Sequence, residues 1–202
     1  AGFAIDRRLE AMLPVLDGKE SLMVFAPRER AVKDALAFAT KEKVKIILAG
    51  VREAGSAVKE IADRKIPVIL GETLELPLDD DAAYDSPFTL PAELHRAGVT
   101  IAFGTFSVQF ARNLPFQVAN AVGFGLPYEE ALKAVTINPA KIWGVDDRIG
   151  SIEKGKWADL ILTDGDPLEG RSQVKQMWIQ GRSVSLETRH TKLYEQYSKR
   201  PE

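Results

Sequence analysis

The chain has 202 residues, 45% of them hydrophobic and 28% charged, the balance of a folded globular chain and not of a disordered one. Its formal net charge of -2 supplies neither a basic field for nucleic acid nor a polybasic anchor for a membrane surface, so neither partner is expected. The absence of cysteine excludes disulfides, thiol nucleophiles and thiolate metal sites, and leaves the compartment open.

The chain begins at Ala1 without Met, compatible with a processed or excised piece of something longer, and no apolar run approaches the roughly 20 residues of a bilayer span. The first strand expected is Leu22 to Ala26 (LMVFA), followed by RERAVKDALAFATKEK, in which Val32, Ala35, Leu36 and Ala39 recur at helical spacing. A second strand, Lys45 to Ala49 (KIILA), precedes EAGSAVKEIADRK, with Val58, Ile61 and Ala62 on one face. The third is Pro67 to Leu70 (PVIL) and the fourth Val99 to Phe103 (VTIAF). Short, continuously apolar runs alternating with amphipathic helices are the pattern of parallel strands buried on both faces.

Between the third and fourth strands, Gly71 to Pro91 reads as a long loop carrying the acidic run Asp79, Asp80 and Asp81. A long insertion after a strand lies at the sheet's C-terminal edge, where sites are built, and the acidic run reads as solvated loop. Helices are expected in LPFQVANAVGFG, PYEEALKAVT and NPAKIWG, with Leu126-Pro127 and Asn138-Pro139 marking two starts. The pattern then changes: ADLILTD (Ala158 to Asp164) and VKQMWIQGRSV (Val174 to Val184) are strands without a crossover helix between them, hence a separate antiparallel layer. Ser185 to Glu202 reads as a charged tail, helical or frayed.

The segment from Gly125 to Glu169, with its TINPA, GSIEKGK, ADL and DGDP motifs, and the final VKQMWIQGRSV resemble the C-terminal end of metal-dependent amidohydrolases of the imidazolonepropionase-like group. Weaker similarity reaches back through the four βα units to the start. The resemblance implies an α/β fold: the C-terminal half of a TIM-type (β/α)8 barrel, about four βα units, followed by a few strands of a small β-sandwich. The implied divisions are residues 1–145 for the partial barrel, 146–185 for the sandwich strands and 186–202 for the tail. It further implies that the four strands correspond to the family's strands five to eight, and that the first half-barrel, with its His-x-His metal motif, is absent from this chain.

Intact members of the family hold zinc or a similar divalent metal at the strand ends. Carried onto this sequence, the positions of the family's remaining ligands are Phe25, Ala49 and Phe106, none of which can bind a metal. No catalytic residue and no cofactor are therefore expected in this chain. The two histidines do not repair the site: His95 lies near a helix C-terminus and His190 in the tail. Arg28, Arg52, Glu53, Glu72, Arg112 and Asn113 follow strand ends, with Thr105 and Ser107 beside them. They form a rim that either binds a small molecule through its arginines or closes on itself in salt bridges, Arg52 or Arg112 pairing with Glu72. Thr105 and Ser107 read as turn hydroxyls, and Trp143, Trp157 and Trp178 as packing residues.

Three roles follow: part of a hydrolase acting on amide or other C–N bonds, a degenerate barrel that binds a ligand, or a structural module. An incomplete barrel leaves strand edges open and its inward face uncovered, with Phe25, Phe103 and Phe106 toward water. The expected partner is the N-terminal half of the same protein or a second copy of the chain.

Overall fold

A computed structural model describes residues 6–198. Before the first strand it has two short helices that the sequence reading did not anticipate, α1 (Arg7–Glu10) and α2 (Leu13–Leu16). Four strands, β1 (Leu22–Phe25), β2 (Ile46–Val51), β3 (Val68–Leu70) and β4 (Ile101–Phe103), form one parallel sheet in the order β1-β2-β3-β4. Between them lie α3 (Glu29–Glu42), α4 (Val58–Asp63) and α5 (Ser86–Arg96), and after β4 come α6 (Leu114–Gly123), α7 (Tyr128–Lys133) and α8 (Ile137–Ile142). The expected βα succession is present, and the arrangement is that of a partial TIM-like fold.

Strand parity divides the apolar residues into two sets. Leu48, Val68 and Ile101 are aligned across the sheet and join Leu70 and Phe103 in the core built with the helices. There they meet Val32 and Leu36 of α3, Ile61 of α4, Leu90 and Leu94 of α5 and Val118 of α6. The spacing of Val32, Ala35, Leu36 and Ala39 puts all four on the buried face of α3, and the helix ends where Lys43 turns left-handed at φ 56. Truncating a fully buried leucine such as Leu36 or Leu48 to alanine costs about 2–5 kcal/mol. On the opposite face, Phe25, Ala49, Ile69 and Ala102 stand in register, and Ile47, Ala49, Ile69 and Ala102 form a second buried cluster against which Ile142 of α8 packs.

Phe103 therefore does not face water as expected: it shares the parity of Ile101, points to the helices and is buried. The two edges of the sheet also differ. The free side of β4 is engaged, with the Phe103 amide donating to the Ala134 carbonyl at 3.2 Å and Asn138 Nδ2 donating to the Ile101 carbonyl at 3.0 Å. Among the described residues only β2 pairs with β1, which is left as an edge strand with Met23 half exposed.

The long loop is shorter than expected, because α5 begins at Ser86 inside it. Pro87 sits in the first turn, where the missing amide is harmless, and Pro91, deeper in the helix, is fully buried. A second sheet consists of β5 (Leu160–Thr163), β6 (Val174–Ile179) and β7 (Arg182–Val184), antiparallel in that order. The run Val174 to Val184 is thus a hairpin and not one strand. Gln180 and Gly181, at φ 50 and 76, make the left-handed turn that joins β6 to β7. Trp143 and Trp157 are about half exposed rather than packed away, and Trp157 carries the Arg148 guanidinium over its ring at 5.6 Å. The tail forms α9 (Arg189–Ser198), with His190 exposed, and the last four residues of the expected tail lie outside the described residues. Among the described residues no helix is long and apolar enough to cross a membrane.

Glu29, at the start of α3, ties two βα units together. Its carboxylate pairs with Lys33 at 2.6 Å and accepts from the Ser56 hydroxyl at 2.7 Å and the Ser56 amide at 3.2 Å. The Lys33 ammonium first, and then Ser56, hold its pKa down to about 2, from an ordinary 4.5. A depressed carboxylate contributes stability that is present above its unfolded value and lost as the pH falls toward its folded one. Glu29→Gln should therefore be less stable than the unaltered chain at pH 7, with the difference in urea midpoint closing between about pH 4.5 and pH 2.

Candidate functional site

The C-terminal ends of the four strands carry the rim anticipated from the sequence, and its arginines hold the insertion between β3 and α5. Arg28 pairs with Asp79 and donates from Nη2 to the Leu78 carbonyl at 3.0 Å, while Arg52 Nη2 donates to the Leu76 carbonyl at 2.7 Å. The Asp79 hydrogen bond, with its charge, raises the Arg28 pKa further. The expected pairing of Arg52 or Arg112 with Glu72 does not form among the described residues: Arg52 reaches a loop carbonyl instead, and Arg112 stays exposed in a 3-10 turn before α6. Asn113 occupies the N-cap position of α6 without a side-chain capping bond. Thr105 Oγ1 donates to the Ser107 carbonyl at 3.2 Å, the turn role expected of it. The structure therefore separates the rim into a pair of loop clamps, Arg28 and Arg52, and a second group around Glu72 and Asn113.

Phe25 and Phe106, 81 positions apart in sequence, meet edge to face with ring centroids 5.6 Å apart. Two glycines make the room. A side chain at Gly50 would meet the Phe25 ring at 2.1 Å, and one at Gly104 would meet the Phe106 ring at 2.8 Å and Ile69 at 3.2 Å. Ala49, paired in register with Phe25, is fully buried beneath this arrangement. The three positions that resemble the family's metal ligands are thus brought to one strand-end patch, as aromatic and methyl groups.

An edge-to-face pair of this kind contributes about 0.5–1.5 kcal/mol beyond area burial. It offsets part of the cost of the left-handed backbone of Phe106, φ 47, which for a bulky residue is about 1–3 kcal/mol. Both rings keep one side open, Phe25 being 64% and Phe106 49% exposed.

Phenyl and methyl groups have no lone pairs to offer a cation and cannot take a proton from bound water, so this patch does not fit the zinc or similar divalent metal of intact family members. Among the described residues no group of three or more His, Asp or Glu is placed to hold a metal ion. His95 sits in the last turn of α5, remote in role from this end of the sheet, and lines a cleft at the opposite end of β4 with Glu130 and Asn138.

Residues 56–184 match the profile of the amidohydrolase family, well over half of the chain. The chain belongs to the amidohydrolase family. A crystal structure of an amidohydrolase from Thermotoga maritima MSB8 superposes with a TM-score of 0.82 at 31% identity, over 92% of this chain and 48% of that one. Among curated relatives, the amidohydrolase tasK of Hapsidospora irregularis is 38% identical over 71 residues, 35% of this chain and 7% of that protein. The imidazolonepropionase of Shewanella frigidimarina is 35% identical over 95 residues, 47% of this chain and 21% of that protein. The chain thus spans about half the length of its structural relative and matches a smaller share of these curated ones.

The sequence reading singled out Phe25, Ala49 and Phe106 but not the glycines that seat the two phenyl rings. A glycine interrupting or ending an apolar run, as Gly50 within β2 and Gly104 directly after β4, is the signal that was available. Gly50→Ala should destabilise the chain by about 1–2 kcal/mol for its left-handed backbone alone, plus the clash with Phe25. The same change in a Phe25→Ala background should cost less, a coupling of about 1 kcal/mol or more in urea unfolding. Additivity within about 0.5 kcal/mol would show that the ring does not lie over Gly50.

Proposed function

We propose that this chain is the C-terminal portion of an amidohydrolase-like protein in which the metal-assisted hydrolytic site has been replaced, and that it serves as a ligand-binding or structural half. The observation that carries this reading is the contact of Phe25 with Phe106 over Ala49, Gly50 and Gly104, an apolar patch where hydrolysis would need ligands and a base. In this reading β1 to β4 are the last four strands of an eight-stranded barrel, residues 1–145 being its half, 146–185 strands of the small β-sandwich and 186–202 a tail. The parallel sheet, the separate antiparallel sheet and the coverage of about half of the Thermotoga maritima relative all support it.

Hydrolysis of amide or cyclic amide C–N bonds would then belong to a complete relative, or to a site built mainly by the other half. The partner is that N-terminal half or a second copy of this chain. What favours such a partner is the unpaired edge of β1 beside exposed Met23 and Phe25, together with the half-exposed Ile161, Leu162 and Ile179 of the second sheet. Leaving several large apolar side chains in water costs several kcal/mol at roughly 25 cal/mol per Å², comparable with the stability of a whole domain.

Two measurements test the proposal. After reconstitution with zinc and removal of the excess, elemental analysis should find well under one equivalent per chain. One tightly held ion, lost in Glu72→Gln or His95→Ala, would overturn the loss of the metal site. Sedimentation equilibrium at micromolar concentration should show self-association of the isolated chain, or a 1:1 complex when the N-terminal half is supplied. A monomer that binds no apolar dye would overturn the need for a partner.

A further inference from the structure

We propose that the α7–α8 segment is a built-in plug at the free edge of β4: it fills the hydrogen-bonding positions of a next parallel strand, so that no strand of another chain pairs there while it is seated. The Val68 amide donates to the Thr100 carbonyl and the Gly104 amide to the Leu70 carbonyl, each at 3.0 Å. In a parallel ladder this turns Thr100, Ala102 and Gly104 toward β3 and the backbone groups of Ile101 and Phe103 outward.

Two of those outward groups are the ones the segment takes. The Phe103 amide donates to the Ala134 carbonyl at 3.2 Å, and the Ile101 carbonyl accepts from Asn138 Nδ2 at 3.0 Å. A single residue of a parallel neighbour, standing opposite Ala102, would accept from the first and donate to the second. Here the same pair of partners comes from a carbonyl at the C-terminus of α7, which has no donor within its own helix, and from a side-chain amide in the first turn of α8.

Packing makes the plug a clasp around the edge. Ala131 and Ala134, with Leu132 and Val135 against them, join the core on the helix side of the sheet, whereas Ile142 packs against Ile47, Ala49, Ile69 and Ala102 on the other side. The connection between α7 and α8 therefore passes around β4 from one face to the other. Gly150 lets the following turn press on it from outside: at φ 93, a side chain there would meet Ala140 Cβ at 2.8 Å and Ile137 Cα at 3.0 Å.

The other edge has no such cover. The Leu22 and Ala26 amides donate to the Lys45 and Ala49 carbonyls, which turns the backbone groups of Met23 and Phe25 outward, and among the described residues no strand pairs with them. An open edge is a template for strand addition, and covering it with helix and loop removes the template. The plug thus makes the sheet one-sided: β4 is closed to strand addition by a contact internal to the chain, and β1 is not. The inference goes beyond the proposed function and does not depend on it.

The test compares the full unaltered chain with Asn138→Asp and Asn138→Ala by amide hydrogen exchange and sedimentation velocity. In the unaltered chain the Phe103 amide should exchange at least tenfold more slowly than in an unstructured peptide, equally at low and high protein concentration. Asn138→Asp, which sets an acceptor against the Ile101 carbonyl, should speed Phe103 exchange at least tenfold. The Leu48 amide, bonded to the Pro67 carbonyl inside the sheet, should stay within twofold. With both edges open, copies add edge to edge without closing, so the variant should sediment as larger species than the unaltered chain at the same concentration. Asn138→Ala adds no charge, should show both changes more weakly, and keeps the test decisive if the aspartate variant fails to fold. Thr136→Ala, which removes an exposed hydroxyl bonded to the Leu132 carbonyl in the same connection, should show neither change. Fast Phe103 exchange in the unaltered chain, unchanged exchange in both Asn138 variants, faster exchange without larger species, or both changes in Thr136→Ala would each overturn the plug. An unaltered chain that stays monomeric would fail the need for a partner and keep this inference, which is read from the difference between the chains.

Discussion

Alternation along four short parallel strands sends Leu48, Val68 and Ile101 toward the helices and Ala49, Ile69 and Ala102 to the other side, and the two faces have unequal means of cover. The helix-facing side is closed by α3 to α6, whose apolar stripes were built for it. On the other side, among the described residues, Ile142 of α8 packs against the strand cluster and the ring pair stands at the strand ends. Small residues make this sufficient. Ala49 and Ala102 need little cover, and Gly50 and Gly104 let the phenyl rings lie close to the backbone. A histidine or aspartate in place of either ring would leave that face more open and place an ionisable group at its edge.

The same strand ends explain why the arginines of the rim are not free for a ligand. A chain that leaves β3 and returns only at α5 must be held down. Arg28 and Arg52 do this through the carbonyls of Leu78 and Leu76, together with Asp79. These bonds are exposed, so each contributes modestly, but two planar donors fixed at adjacent strand ends define where the insertion lies. Arg52 is not fully satisfied, its Nε being buried without a partner. With the insertion held, Glu72 and Glu75 lie beside the start of α6 with Asn113 and Gln117.

Much of this fold was legible in the sequence because its strands are short, wholly apolar and separated by helices of clear period. The residue types at Phe25, Ala49 and Phe106 were legible too, since a side chain that cannot ligate is visible without coordinates. The hairpin within Val174 to Val184 was missed because Gln180 is not a residue that announces a left-handed turn, although Gly181 beside it is. The entry of α5 was missed because prolines at positions 87 and 91 argue locally for loop, whereas burial of Pro91 in the core outweighs its lost hydrogen bond.

The sequence by itself determined the βα succession, the burial of the inner strands on both faces, and the absence of ligating side chains at Phe25, Ala49 and Phe106, because composition and local period carry those properties. Only the tertiary structure decided what these residues do together. That Phe25 meets Phe106, that Phe103 turns to the helices while Phe106 is held left-handed, that Arg52 chooses a loop carbonyl over Glu72, and that Gln117 is buried on α6 with its carbonyl taken by Thr73 all depend on segments far apart in the chain. Such contacts follow from how the strand ends converge, and convergence is a property of the packed sheet and not of any one segment.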